Sequence, residues 1–332
     1  MYKDNFFGCV YGLAIGDALG HPNEFENRST NLDRRNGKEL TDLEPVLDWT
    51  IMTTKRINRK YVAIPHEEFP AGTYTDDTQM TLAIAKALLK SDLQNYKLEE
   101  IMKNISEEFI RWSDDPETNR APGKACLYAC HKLKKGTNWK ESGKPDAKGS
   151  GTAMRSAPIG LIFYDKLDRL VEVASAASKC THLHPTAGSA GIATAYLTAL
   201  ALQGIDHTKW ISKILNASFF NEEFKNKISQ VNEIQAGKNP YEALSKIGEG
   251  WMGHEAVAIA LYCVLKNPYD YEKTVLTAAN AEGDTDTITC IAGAISGAYN
   301  GIDKLPQKWV EKVEKTEYLG EIANKLYCKI NR

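Results

Sequence analysis

Two acidic segments, Thr75-Asp76-Asp77-Thr78 and Asp284-Thr285-Asp286-Thr287, each stand at the mouth of a predicted helix, and with Glu24 they bring five carboxylates and several hydroxyls. Oxygen donors of this kind suit hard divalent cations such as Mg²⁺ and Mn²⁺, and a pair of cations ~3.5–4 Å apart needs several carboxylates converging from different segments. Thr and Asp are also favoured N-caps, and Asp in a first turn complements the helix dipole. One cap oxygen already serves a first-turn amide, so capping accounts for only part of this acid. An EF-hand is excluded, because Ile288 and Thr289 stand where that loop needs an Asp or Asn and then a Gly. A metal site must therefore be assembled across the fold.

The elements that would assemble it are helical. Periodicity predicts helices near residues 4–20, 76–91, 97–113, 122–134, 151–163, 168–179, 185–203, 208–217, 221–236, 241–248, 254–266, 271–281, 286–300, 306–315 and 317–330, while alternating strand patterns are hard to find. The expected fold class is all-α, a compact single-domain helical bundle over residues 1–332. The acidic segments near opposite ends of the chain are of use only within one unit. Gly8, Gly12 and Gly16 recur every four residues on the first helix. Gly costs ~1 kcal/mol against Ala inside a helix, so a close backbone approach must compensate there. The Ala- and Gly-rich runs Ala187–Ala201 and Ile291–Ala298 suit the same packed interior.

Residues 27–70 break the helical pattern with Arg34-Arg35, Lys55-Arg56, Arg59-Lys60, Pro65 and Pro70. They read as a polar loop excursion, and because they join Glu24 to the first acidic segment they also suggest a lid. A second polar stretch, Lys134–Ser150, leads into Gly149-Ser150-Gly151-Thr152. Glycines there would let backbone N–H groups approach a diphosphate ahead of a helix N-terminus. Met154 breaks G-x-G-x-x-G, and no Walker A run exists, so on pattern alone an ordinary turn is an equal reading. Asp17, an acid within a helix of small residues, reads as a holder of nearby donors.

Composition narrows the function classes. A net charge of −2 over 332 residues gives no broad basic footprint for nucleic acid. Seven cysteines without CxxC spacing suit a reduced intracellular protein, and Cys126 and Cys130, four apart, read as one buried helix face. The run Phe6–Gly20 lacks a basic lead and is interrupted by Asp17, unlike a signal segment, and no stretch is apolar enough to span a bilayer. The expectation is a cytoplasmic protein with no membrane and no nucleic-acid partner.

Six runs carry a resemblance. They are Gly16-Asp17-Ala18-Leu19-Gly20 with Glu24-Phe25, Tyr74–Met80, Gly149–Arg155, Thr181–Thr186, Gly250–Glu255 and Gly283–Thr287. In this order, and over almost the whole chain, the sequence resembles the ADP-ribosylglycohydrolase family. The resemblance implies an all-α fold with two divalent cations, Mg²⁺ or Mn²⁺, at the base of an ADP-ribose cleft. It implies metal positions at Thr75, Asp76, Asp77, Asp284, Asp286 and Thr287, and catalytic roles for Glu24 and Asp77. It implies substrate contacts at Gly149, Ser150, Gly151, Met154, Arg155, His182, Gly253 and His254. Many relatives carry Asn where this chain has Ser150. His182 and His184 form an H-x-H whose side chains would point differently at a helix start, with capping as the alternative to a substrate contact.

The implied reaction is hydrolysis that removes mono-ADP-ribose from a modified protein. The context of Arg120-Ala121-Pro122-Gly123, the Thr-His-x-His-Pro-Thr run and Met154-Arg155 resembles the ADP-ribosylarginine hydrolase branch, with an N-glycosidic bond to arginine. Asp114 and Asp115 would then join Glu24 on an acidic rim. The alternatives are hydrolysis of serine-linked ADP-ribose, a catalytically silent ADP-ribose binder, an immunity-type protein, and a D-x-D nucleotide-sugar transferase, which an all-helical chain fits poorly.

Overall fold

The structure, a computed structural model, describes residues 2–57, 60–116, 118, 120–234 and 239–331. Its α-helices in chain order are α1 (Lys3–Gly20), α2 (Arg28–Arg34), α3 (Asp76–Lys90), α4 (Leu98–Asp114), α5 (Lys124–Lys134), α6 (Trp139–Ser142), α7 (Ala157–Ile162), α8 (Leu167–Lys179), α9 (Pro185–Leu202), α10 (Trp210–Asn216), α11 (Glu222–Ile234), α12 (Pro240–Ile247), α13 (Gly253–Lys266), α14 (Tyr271–Ala279), α15 (Thr285–Asn300), α16 (Gln307–Lys312) and α17 (Thr316–Ile330). Two antiparallel strands, β1 (Val46–Ile57) and β2 (Lys60–Phe69), form the one sheet among the described residues. The fold class is all-α, as the periodicity predicts. Among the described residues, no helix is long and apolar enough to cross a membrane.

The helices sort by the width of their apolar face. Residues Gly8 to Gly20 of α1 and Thr285 to Ala298 of α15 are all buried, the mark of a core helix. By contrast α4 buries Ile101, Met102, Ile105, Glu108, Phe109 and Trp112, a single stripe facing inward. The glycine stripe of α1 explains how the two core helices meet. A Cβ on Gly12 would lie 2.4 Å from the Gly293 carbonyl oxygen, and one on Gly16 would lie 2.2 Å from that of Thr289. Both distances are shorter than any real Cβ contact, so the backbones touch directly. That contact carries the first turn of α15, with Asp286, against the end of α1, where Thr285 Oγ1 donates to the Gly20 carbonyl at 2.8 Å.

Residues 27–70 are not a loop. They contain α2, capped by the Asn27 side chain, and the β1–β2 hairpin, in which Met52 pairs with Pro65 and Thr53 with Ile64. The β-branched residues Ile51, Thr53, Thr54, Val62 and Ile64 explain the strands. The register shifts between Asp48 and Met52, next to Pro65, where a missing N–H costs least. Arg59 of the charged clusters lies outside the described residues. Among the described residues, none of the hairpin lines the acidic cavity, so the lid reading has no support in their placement.

The helix expected over 151–163 also divides, into a 3₁₀ turn at Ser150–Thr152 and the short α7. Pro158 is the cause. Within a continuous helix it could not donate to the Met154 carbonyl, and it sits instead in the first turn of α7. The Met154 carbonyl accepts from the Thr81 hydroxyl at 3.1 Å.

Candidate active site and metal centre

A cavity of about 460 Å³ opens over the ends of α1, α3 and α15. Its walls include Glu24, Phe25, Asp76, Asp77, the segment Ala121–Cys126, Gly149, Ser150, Gly151, Met154, His182, Trp251, Asp284, Asp286 and Thr287. The two acidic segments, more than 200 residues apart in sequence, thus share one floor with Glu24.

Each acidic segment is held by a partner from elsewhere. Asp17, fully buried on α1, accepts the Thr75 amide at 2.9 Å, the Thr78 amide at 2.9 Å and the Thr78 hydroxyl at 2.6 Å. It thereby occupies the donors at the start of α3 and leaves Asp76 and Asp77 to face the cavity. Asp76 Oδ2 accepts the Gly123 amide at 3.3 Å. Thr75 caps α3 by accepting the Asp77 amide at 3.3 Å, and its hydroxyl also bonds to Asp286. On the other side the Asp284 amide donates to the Glu249 carbonyl at 2.8 Å, while Ser150 Oγ donates to Asp284 Oδ2 at 2.7 Å. The Asp286 carboxylate accepts the Thr287 amide at 2.9 Å. Ser150 thus ties the glycine turn to the acidic floor.

Glu24 reaches the floor through strain. The next residue, Phe25, has φ +67, in the left-handed region that side chains with a Cβ rarely adopt. Two backbone hydrogen bonds hold the turn, Phe25 N–H to the Gly283 carbonyl and Gly283 N–H to the Glu26 carbonyl, both at 3.2 Å. Gly283 itself has φ +85, and a Cβ there would lie 2.2 Å from the Glu249 carbonyl oxygen. One oxygen each from Glu24, Asp284 and Asp286 lie within 4.8 Å of one another. The Phe25 ring stacks on Trp251 with centroids 5.5 Å apart at the cavity mouth. Sequence reasoning missed this pair, since two aromatic residues from distant segments carry no periodic signal.

The electrostatics are those of crowded acids. Burial pushes Asp17 up to about 7, with the Asp286 charge adding to it. Burial likewise raises Asp284 to about 6, against hydrogen bonds from Asp286, Ser150 and Thr287 that lower it. Glu24, Asp76, Asp77 and Asp286 are all raised, first by burial and next by a neighbouring carboxylate. Asp77 Oδ2 is buried with no hydrogen-bond partner among the described residues. Buried like charges and an orphaned carboxylate oxygen fit a site built for divalent cations, which would supply the missing positive charge. Hard oxygen donors, with no His or Cys among them, favour Mg²⁺ or Mn²⁺ over zinc.

The expected substrate contacts divide into two groups. Gly149, Ser150, Gly151, Met154 and His182 line the cavity. Arg155, Gly253 and His254 are not among its lining residues. Arg155 is 1 % exposed and bonds to the Ala177 carbonyl and Thr181 hydroxyl behind the wall. Gly253 donates to the Lys148 carbonyl at 2.8 Å and, with Met252 bridged to Gly149, backs the glycine turn. His254 is buried in the first turn of α13, its pKa lowered chiefly by burial. Spacing identifies a segment, but it does not say which side of that segment faces the cavity.

His182 and His184 separate as expected. His184 Nδ1 accepts the Thr186 amide at 3.2 Å and caps α9. His182 faces the glycine turn, and its pKa falls to about 3 through burial, then through Arg155 and Lys144. The acidic rim expected from Asp114 and Asp115 does not form at this cavity. Asp114 pairs with Lys134 at 2.5 Å, and Asp115 lines a different cavity, beside Trp112 and Tyr318. Arg120 is likewise committed, to Glu314 and to the Tyr74 carbonyl. Cys126 and Cys130 are buried on one face of α5.

The chain is similar to known proteins along its whole length. The chain is 28 % identical over 326 residues to an uncharacterized protein of Archaeoglobus fulgidus, covering 98 % of this chain and 96 % of that one. It is 26 % identical to the ADP-ribosylhydrolase ARH3 of Homo sapiens, over 98 % and 94 %. It is 24 % identical to the ADP-ribosylarginine hydrolase Tri1 of Pseudomonas putida, over 98 % and 78 %. A solved structure described as an ADP-ribosylglycohydrolase-related protein complex shares the fold, with a TM-score of 0.73 over 99 % of both chains at 23 % identity. The sequence model of the ADP-ribosylglycohydrolase family matches residues 1–332, and the chain belongs to that family.

Proposed function

We propose that this protein is a divalent-cation-dependent hydrolase that removes mono-ADP-ribose from a modified protein by cleaving the N-glycosidic bond to arginine. The observation that carries this reading is the cavity floor, where Glu24, Asp76, Asp77, Asp284 and Asp286 converge from three segments around an unpartnered Asp77 oxygen. In this reading Thr75, Asp76, Asp77, Asp284, Asp286 and Thr287 hold two cations, and Glu24 stands close enough to Asp284 and Asp286 to join them. Bound cations would supply Lewis acidity at the ribose oxygens and lower the pKa of water. The protein's own groups do the rest. Asp77 orients a water and takes its proton as the water attacks the anomeric carbon through an oxocarbenium-like transition state. Glu24 binds substrate hydroxyls and delivers a proton to the leaving group. Gly149, Ser150, Gly151, Met154 and His182 hold the nucleotide end of the substrate.

The arginine linkage is supported by the name of the Tri1 relative and by the charge of the cavity. A guanidine leaves as a delocalised cation once protonated, and an acid-lined cavity stabilises that charge more than it does a departing serine hydroxyl. The setting proposed is cytoplasmic, with all seven cysteines free. The test is a comparison of kcat/KM for arginine-linked and serine-linked mono-ADP-ribosylated peptides, which reads the difference in transition-state stabilisation. Preference for the arginine linkage is expected. Preference for serine overturns the linkage but leaves the hydrolase, and activity on neither moves a silent ADP-ribose binder to first place.

A further inference from the structure

Arg155 is a fully buried cation whose hydrogen-bond partners among the described residues are all uncharged. Its guanidinium lies over the Phe109 ring, 4.7 Å from the centroid, and donates to the Cys126 sulfur at 3.4 Å. Nη2 donates to the Ala177 carbonyl at 3.1 Å and to Thr181 Oγ1 at 2.6 Å. Thr181 Oγ1 in turn lies 2.7 Å from His182 Nδ1. A Cβ built on Gly149 would be 3.5 Å from His182 Nε2, and one on Gly151 would be 3.6 Å from it. The far edge of the ring therefore faces the glycine turn.

Counting protons fixes the direction of this chain. A guanidinium only donates, so Thr181 Oγ1 must accept from Arg155. The hydroxyl has one proton left, and two acceptors compete for it, His182 Nδ1 at 2.7 Å and the Ser178 carbonyl at 3.5 Å. The first is an ordinary O–H hydrogen-bond length and the second is at the limit of one. The proton goes to Nδ1, which is then an acceptor, and a neutral imidazole with an accepting Nδ1 carries its hydrogen on Nε2.

We infer that Arg155 and Thr181 are positioning residues that lock His182 as the Nε2–H tautomer, presenting a fixed donor at the glycine turn to a phosphate or ribose oxygen of bound ADP-ribose. The identity of that ligand rests on the proposed function, whereas the tautomer rests on the hydrogen-bond chain alone. The backbone of His182 is clamped to match. Its amide donates to the Ser178 carbonyl at 2.9 Å, and Lys144 N–H to the Thr181 carbonyl at 2.9 Å and Leu183 N–H to the Lys144 carbonyl at 3.1 Å hold the strand-like stretch around it.

The experiment is ring ¹⁵N NMR on the labelled, ligand-free protein, with the His182 signals assigned by their loss in His182→Gln, alongside calorimetric titration with ADP-ribose. Wild type should show Nδ1 bare and Nε2 protonated. Thr181→Val, which keeps the shape and removes the hydroxyl, should mix the tautomers and weaken ADP-ribose binding ~10-fold, the loss of about one hydrogen bond. Thr181→Ser should restore both. A protonated Nδ1 in wild type, or an unchanged tautomer and affinity in a folded Thr181→Val, overturns the relay; if that variant does not fold, the wild-type spectrum alone decides. Wild type that shows the expected tautomer but does not bind ADP-ribose overturns the ligand, together with the function it comes from.

Discussion

Asp17 grips Thr78 twice: one oxygen of its carboxylate accepts both the amide of Thr78, at 2.9 Å, and its hydroxyl, at 2.6 Å. The pair ties α1 to the mouth of α3, 61 residues later. Together with the Gly123 amide that bonds to Asp76, it keeps Asp76 and Asp77 turned toward the cavity. Each buried donor left without an acceptor costs ~1–3 kcal/mol. Asp17→Ala should therefore lower stability by several kcal/mol and abolish turnover, as read from the denaturant midpoint and an activity assay. A variant with wild-type midpoint would show that Asp17 does not hold α3.

Asp286→Ala should act in the opposite way on the two quantities. Asp286 is pressed on by the Asp284 charge in addition to its burial, so its removal relieves repulsion in the cation-free protein. The cation-free melting temperature should stay level or rise, while turnover nearly vanishes and the rise in melting temperature on adding Mg²⁺ shrinks. Calorimetric scans with and without Mg²⁺ measure both, and wild-type turnover at limiting Mg²⁺ would remove Asp286 from the centre.

Glu24→Gln keeps the size of the side chain and removes its charge. One positioned acid or base group contributes ~10²–10⁴-fold to rate, and a loss in that range is expected in kcat. The resemblance gives Glu24 a catalytic role and leaves it off the metal positions, so a smaller effect on cation affinity than on rate is the expectation from sequence. Its oxygen within 4.8 Å of those of Asp284 and Asp286 changes that expectation, and Mg²⁺ affinity should fall as well. An unchanged kcat would return Glu24 to an ordinary loop acid.

The cluster also sets a pH dependence with a definite sign. Asp17 rises from 3.8 to about 7 and Asp284 from 3.8 to about 6, so each binds its proton more tightly in the folded state than in the unfolded one. Their contribution to stability is present in full at low pH and is lost as pH rises from about 4 through about 7. Bound cations reverse this by favouring the ionised carboxylates. The difference in melting temperature between Mg²⁺ and EDTA should widen from about pH 5 to about pH 7. A difference that stays constant over that range would mean that Asp284 is not where the cations bind.

The parts of this site that were legible in the sequence are those where one residue type has few other uses. Asp76, Asp77, Asp284 and Asp286 exceed what capping needs, and Gly12 and Gly16 are costly in a helix unless backbones touch, as they do at Gly293 and Thr289. Pattern failed where tertiary partners decide. The run Ile51–Ile64 reads as a charged loop because the β-branched residues of its strands are interleaved with charges and Pro65. Pro158 marks the true start of α7, a signal present in the sequence but outweighed by apolar periodicity. Arg155 falls in a recognisable run yet faces away from the cavity, since the partner that claims it, Thr181, lies 26 residues on.

Free ADP-ribose is the product that the acidic floor should release with the help of divalent cations, and its appearance can be followed as the cation is removed and returned. Protein stripped with EDTA and then titrated with Mg²⁺ is incubated with an arginine-linked mono-ADP-ribosylated peptide, and free ADP-ribose and unmodified peptide are quantified together. No release is expected after stripping, followed by a return of release with Mg²⁺ and one restored arginine for each ADP-ribose freed. Release at the full rate in EDTA would contradict this expectation, because Asp76, Asp77, Asp284 and Asp286 would then have gathered for some purpose other than holding cations.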